Sequence, residues 1–158
     1  RLKLHFKTQA KGLRLYSGKT DISDRIRTPE ISMLASSVSG KAVVREYLLE
    51  VQRDIGLGKA AVFEGRDMGT VVFPGADVKF FLDASLKTRA MRRYQELESG
   101  SDQSLDKVEN DMQRRDTDDS TRNLAPLKPA ADAIVIDSTD LSIQEVVDLM
   151  LSHISEKG

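Results

Sequence analysis

Val78-Lys79-Phe80-Phe81-Leu82-Asp83 and, much further on, Ala133-Ile134-Val135-Ile136-Asp137 are two short apolar runs that each end on aspartate. Apolar continuity of this kind, rather than strict alternation, marks strands covered on both faces, as in a parallel sheet. Two helical stretches separate them, residues 85–97 and 104–115. A third run, Ala60-Ala61-Val62-Phe63, precedes both and is bounded by Gly65. Strands alternating with helices predict an α/β fold with a parallel sheet.

Outward from this centre the pattern changes. Residues 2–7 (Leu-Lys-Leu-His-Phe-Lys) and 13–17 (Leu-Arg-Leu-Tyr-Ser) alternate apolar and polar, and the turn residues between them predict a hairpin. Thr28-Pro29 opens a short helix over 30–36. Residues 41–55 carry apolar side chains at 43, 44, 47, 48, 51 and 55, an amphipathic helix closed by Gly56. Ser142-Ile143-Gln144-Glu145 is a capping box for a last helix that buries Val146, Val147, Met150, Leu151 and Ile154. Residues 98–103 are polar and contain glycine, and are expected to form a mobile hairpin. Ser17-Gly18-Lys19-Thr20 ends like a phosphate-binding loop, but Leu13 stands where the first glycine belongs and no helix pattern comes after it. It reads as an ordinary turn.

Composition excludes several classes of function. The chain has 158 residues, 24 basic and 25 acidic side chains and a net charge of −1. Nucleic-acid or membrane attraction of the whole molecule is therefore not expected, and an anion site must be built locally. With no cysteine and two histidines, thiol nucleophiles, thiolate zinc centres and histidine-based triads drop out. No run spans a bilayer and no signal peptide opens the chain.

Three clusters carry chemistry. Gly65-Arg66-Asp67-Met68-Gly69-Thr70 comes directly after the run at 60–63, where ligands of open α/β sheets bind. As a bare pattern it is equally an ordinary loop with a surface Arg-Asp pair. Arg115, Asp119 and Arg122 stand at i, i+4 and i+7, so one helix face carries all three. Such a face is either laced with salt bridges or binds a nucleotide, arginines on phosphate and the carboxylate on ribose hydroxyls. The third cluster is Ser36, Ser37 and Ser39 with Arg45, and Arg92-Arg93 stands on the helix entering the polar stretch.

Taken in order, these clusters resemble the bacterial-type cytidylate (CMP) kinases. The matching text is Ile26-Arg27-Thr28-Pro29-Glu30, Val44-Arg45 to Gln52-Arg53, Gly65 to Pro74, Arg89 to Arg93, Arg115-Asp116 to Arg122, Ala125-Pro126-Leu127, Pro129-Ala130-Ala131-Asp132-Ala133 and Asp137-Ser138-Thr139. The resemblance covers nearly the whole chain. It implies the P-loop nucleoside monophosphate kinase fold: a parallel sheet flanked by helices, a monophosphate-binding insert (mostly 2–55), core at 56–92 and 116–158, and a lid at 93–115. It implies a cytoplasmic enzyme, monomeric when intact, that phosphorylates CMP and dCMP with ATP and Mg2+ and has no nucleic-acid or membrane partner. Residue by residue, Ser36, Arg45 and Asp67 correspond to cytosine readers, and Arg66 and Arg122 to monophosphate ligands. Arg115 and Asp119 correspond to ribose contacts, and Arg92 or Arg93 to lid arginines over the transferring phosphoryl group.

Two departures are visible. The family's opening strand, P-loop and helix do not precede Arg1, so the 158 residues are expected to be the larger C-terminal part of such a kinase, N-terminally truncated and inactive in isolation. Without a central strand, part of the core is expected to lie exposed or to pair with another chain. Glu64 stands where the family has aspartate, which leaves it reaching magnesium only through a water. A non-catalytic pyrimidine nucleotide-binding module is the alternative. A nucleic-acid-binding protein fits poorly, because every arginine cluster is interleaved with aspartate and tryptophan is absent.

Overall fold

The computed structural model describes residues 4–10, 12–57, 60–97 and 103–156. The expected hairpin at 98–103 thus lies almost wholly outside the described residues. The chain forms two compact units, Arg1–Val44 and Arg45–Gly158.

The first unit is a small antiparallel sheet and a helix. Strand β1 (Leu4–Gln9) pairs with β2 (Gly12–Ser17), with Leu4 opposite Ser17 and Gln9 opposite Gly12. A two-residue strand β3 (Thr20–Asp21) continues the sheet, with Ser17 opposite Thr20. Gly18 and Lys19 are therefore a two-residue hairpin loop. Gly18 has φ +59° while Lys19 keeps a negative φ, the type II′ pattern that matches strand twist. The stretch that mimics a phosphate loop is a tight turn. After a 3-10 turn at Arg25–Arg27, helix α1 (Pro29–Ser39) starts where Thr28 Oγ1 accepts from the Ile31 amide at 3.3 Å. It runs a turn further than its sequence pattern predicts.

Helix α2 (Ala42–Gly56) leads into the second unit. There β4 (Phe80–Asp83) and β5 (Ile134–Asp137) pair in parallel, Phe80 opposite Ile134. Between them run α3 (Leu86–Leu97) and α4 (Leu105–Thr121), packed on each other; α5 (Ile143–Ser155) ends the chain. The capping box is formed: Ser142 Oγ accepts from the Glu145 amide at 3.3 Å, and Glu145 Oε2 accepts from the Ser142 amide at 2.8 Å. His153 of α5 lies 6.4 Å, ring to ring, from Phe80 of β4.

The strand expected at 60–63 is absent. A strand is held by its neighbour, and none of the described residues pairs with this stretch, where Val62 is 100% exposed. Beyond it the chain makes a single π-helical turn, Met68–Val72, in which the Val72 and Phe73 amides reach back five residues to the Asp67 and Met68 carbonyls at 3.2 and 2.7 Å. Such wide turns concentrate at functional sites. The buried apolar residues are few: Val72, Ala84, Ala90, Val108 and Ile136. Leu82, Val135 and Ile143 are exposed, and so are Val147, Leu151 and Ile154 of α5, which the sequence pattern predicts to be buried. No helix among the described residues is long and apolar enough to cross a membrane.

Gly56 closes α2, but not as a left-handed cap, because its φ is not positive. It provides room: a β-carbon there would come within 2.8 Å of the Phe73 ring, which itself packs on Phe63 with centroids 4.5 Å apart. Gly56→Ala is therefore expected to destabilise the fold by about 2 kcal/mol through overpacking. Denaturant unfolding checks this, and an unchanged midpoint would show that Phe73 yields freely.

Candidate functional site

The site is built on the π-helical turn and on the last turn of α4. Arg66 and Asp67 stand immediately before the π turn, whose amides at Val71 and Val72 both donate to the Asp67 carbonyl at 2.9 and 3.2 Å. That anchorage fixes the backbone from which both side chains project. Asp67 is buried, and its carboxylate is ion-paired with Arg45 from α2. Its neighbour Arg66 turns to Asp119 on α4, Nε to Oδ2 at 3.1 Å.

Asp119 is the hub. Its side chain is 4% exposed and three guanidinium groups converge on it: Arg66 at 3.1 Å, Arg122 at 3.4 Å and Arg115 at 3.7 Å. One negative charge thus faces three positive ones. Arg115 Nε is buried with no hydrogen-bond partner among the described residues. Burial, and then the charge of neighbouring Arg66, hold the Arg115 pKa below its ordinary value, and Arg93 pushes the same way. An excess of positive charge around a buried carboxylate, together with an unanswered donor, is the electrostatic signature of an anion site.

Backbone strain helps aim the third arginine. Ala125 has φ +49°, the left-handed region that a β-carbon disfavours by about 1 kcal/mol. Its carbonyl accepts from Arg122 Nε at 2.7 Å, and the Leu127 amide donates to the Asp119 carbonyl at 2.8 Å. The chain folds back over the end of α4 and pins Arg122 and Asp119 together.

Most candidates from the sequence meet here. Arg45, Arg66, Asp67, Arg115, Asp119 and Arg122 gather through two sets of ion pairs, joined by the adjacency of Arg66 and Asp67. Ser36 is half-buried on α1, in the first unit. Arg92 and Arg93 diverge. Arg92 donates to Ser138 Oγ at 3.2 Å, Ser138 O at 2.7 Å and Leu141 O at 3.1 Å, which ties α3 to the segment after β5. Arg93 pairs with Glu96 at 3.0 Å, and its charge reaches Arg115 more weakly than that of Arg66. Glu64 is exposed, in a stretch without regular structure. Among the described residues no three His, Cys, Asp or Glu side chains gather as a metal site.

Three cations important to this geometry carry no role in the sequence reading. Arg53 of α2 donates to the Val72 and Val71 carbonyls, both at 3.0 Å. Lys79 holds Asp132 and the Pro74 carbonyl. Arg89 of α3 bonds Asp116 of α4 at 2.5 Å and the Ala84 carbonyl at 2.8 Å. The signal for Lys79 was a lone charge inside an apolar run; for Arg53, a cation in the last turn of a helix.

The cytidylate kinase family model matches residues 1–156. The cytidylate kinase of Geobacter sulfurreducens is 50% identical over 145 residues, covering 91% of this chain and 62% of that protein. That of Thermosipho melanesiensis is 49% identical over 137 residues, 86% of this chain and 63% of its own. That of Citrifermentans bemidjiense is 44% identical over 157 residues, 99% and 67% respectively. The chain thus spans somewhat under two thirds of the length of the first two relatives and 67% of the third.

Proposed function

Since the chain belongs to the cytidylate kinase family, we propose that the protein carrying it transfers the terminal phosphoryl group of ATP to CMP or dCMP, giving CDP or dCDP. The observation that carries this reading is the convergence of Arg66, Arg115 and Arg122 on buried Asp119, next to the Arg45–Asp67 pair. A nucleoside monophosphate brings two negative charges, which complement a site where one carboxylate faces three guanidiniums. Arg66 and Arg122 take phosphate oxygens, Arg115 offers its unanswered Nε, and Asp119 turns to the ribose hydroxyls. Asp67 accepts from the cytosine 4-amino group and Arg45 donates to the ring acceptors. Ser36 joins the base readers on the family correspondence alone. Uracil presents a carbonyl where Asp67 requires a donor.

Phosphoryl transfer needs no covalent intermediate on the protein; it needs alignment, positive charge over the reacting oxygens and exclusion of water. Arg93, paired with the exposed Glu96, suits the closing role better than Arg92, whose donors are taken up by Ser138 and Leu141. Magnesium would arrive on the ATP phosphates and keep mostly water and phosphate ligands. The described residues do not form a protein cage for it, and Glu64 would reach it through water.

Calorimetric titration of the chain with CMP, UMP and AMP, paired with a CDP-formation assay of the full protein, tests this. The expected result is binding of CMP, rejection of UMP by about 100-fold, and ATP-dependent CDP formation. Equal affinity for all three nucleotides would overturn the base-reading assignment, and binding without turnover in the full protein would favour a non-catalytic nucleotide module.

A further inference from the structure

The π-helical turn behind Arg66 and Asp67 is gripped from two sides by cations that touch no part of the anion site. On one side Arg53 forks onto the last carbonyls of the turn, Nε to Val72 O and Nη2 to Val71 O, each at 3.0 Å. These are groups that a helical end leaves without intrahelical partners. On the other side Lys79, its side chain 7% exposed, commits all three ammonium protons: to the Pro74 carbonyl just past the turn, and to Asp132 Oδ1 and Oδ2 at 2.9 and 2.8 Å. Its backbone carbonyl is held as well, by the Ile134 amide at 2.8 Å. The methylene stem of Lys79 runs under Gly69, where a β-carbon would lie 3.3 Å from Lys79 Cδ and 3.7 Å from Ala130 Cβ.

We propose that Arg53 and Lys79 are positioning residues for the turn that presents Arg66 and Asp67. Arg53 closes its carbonyl end. Lys79 fixes Pro74 to the turn before β5 and supports Gly69 from beneath. The amides of Val71 and Val72 pass that restraint to the Asp67 carbonyl, and so to the two side chains that pair with Asp119 and Arg45. The Lys79 ammonium is buried while its partner Asp132 stands at the surface, so the three hydrogen bonds tie a buried point under the turn to an exposed loop, which makes Lys79 a strut rather than a ligand. Neither residue touches nucleotide. Their effect falls on the placement of groups that do, and an error of about 1 Å there is costly.

The kinetic arm of the test rests on the proposed kinase reading; the exchange arm does not. In the full protein, Lys79→Met and Arg53→Met are each expected to raise KM for CMP about tenfold, leaving KM for ATP unchanged and kcat within about threefold. Arg53→Lys, which keeps the charge and one donor, is expected to recover KM for CMP to within about threefold. Amide hydrogen exchange at residues 68–73 should accelerate about tenfold in both Met variants, while α3 and α4 keep wild-type rates. Folded variants with wild-type KM and wild-type exchange at 68–73 would overturn the proposal. So would a parallel rise of both KM values with faster exchange across α3 and α4, which is general loosening. Absence of CMP turnover in the wild type would defeat the kinase reading alone. Exchange then decides: acceleration confined to 68–73 upholds the strut, and unchanged rates overturn it.

Discussion

Asp119→Asn in the full protein is expected to lower kcat/KM for CMP about 100-fold and the melting temperature by about 6 °C. The two losses have one origin. Asp119 is almost fully buried and neutralises part of the charge on three guanidiniums. An amide of the same size leaves them facing each other. Removing one partner of a buried ion pair costs about 3–5 kcal/mol; here about 2 is expected, because Arg66 and Arg115 are partly solvated. Inorganic phosphate should return part of the lost stability by supplying the missing charge, and thermal melts with and without it read this directly. An unchanged melting temperature with full activity would show that the hub lies elsewhere.

The second large effect concerns selectivity. Asp67→Asn is expected to reduce the CMP to UMP ratio of kcat/KM about 100-fold. A carboxylate only accepts hydrogen bonds, whereas an amide accepts or donates according to how it turns, so the variant can answer the uracil carbonyl. On the proposed reading Arg45 holds the Asp67 carboxylate in place through their ion pair. Initial rates with the two nucleotides suffice. A ratio that stays at the wild-type value would remove Asp67 from the base-reading role.

Much of this fold could be read from side-chain periodicity. The hairpin and the helices come from patterns of two and of three to four, and the strands at 80–83 and 134–137 from continuous apolar runs. Where the pattern failed, it failed for lack of a partner. Ala60-Ala61-Val62-Phe63 has the composition of a buried strand, but composition encodes the wish for cover and not its presence. The π-helical turn was invisible because one extra residue in a turn leaves no mark on apolar spacing. Gly56 looked like a cap and serves as clearance for Phe73, a contact between residues that no local window links.

The site divides the same way. Arg115 and Asp119 share a face of α4, as their spacing predicts, whereas Arg122 stands just past the helix end in extended backbone and is returned to Asp119 by the fold-back at Ala125. Arg66 joins them across a loop, and only the family resemblance linked it to Asp119 beforehand. Arg92 and Arg93 show the limit of resemblance: adjacent helix positions point about 100° apart, and matching motifs could not say which one faces Arg115. The structure separates them, Arg92 toward Ser138 and Arg93 toward Glu96.

Two ion pairs of the second unit, Arg66–Asp119 and Lys79–Asp132, each join residues 53 positions apart. Closing a loop of that length costs about 3.5 kcal/mol of chain entropy beyond a constant. The loops overlap over most of their length, so the second closure adds little once the first has formed. Whichever pair forms first makes the other nearly local. The anion hub and the Lys79 strut should therefore appear together during folding, and late, after the local helices. During synthesis the strut cannot form until residue 132 has left the ribosome, so the hub gains that support only when most of the chain is already made.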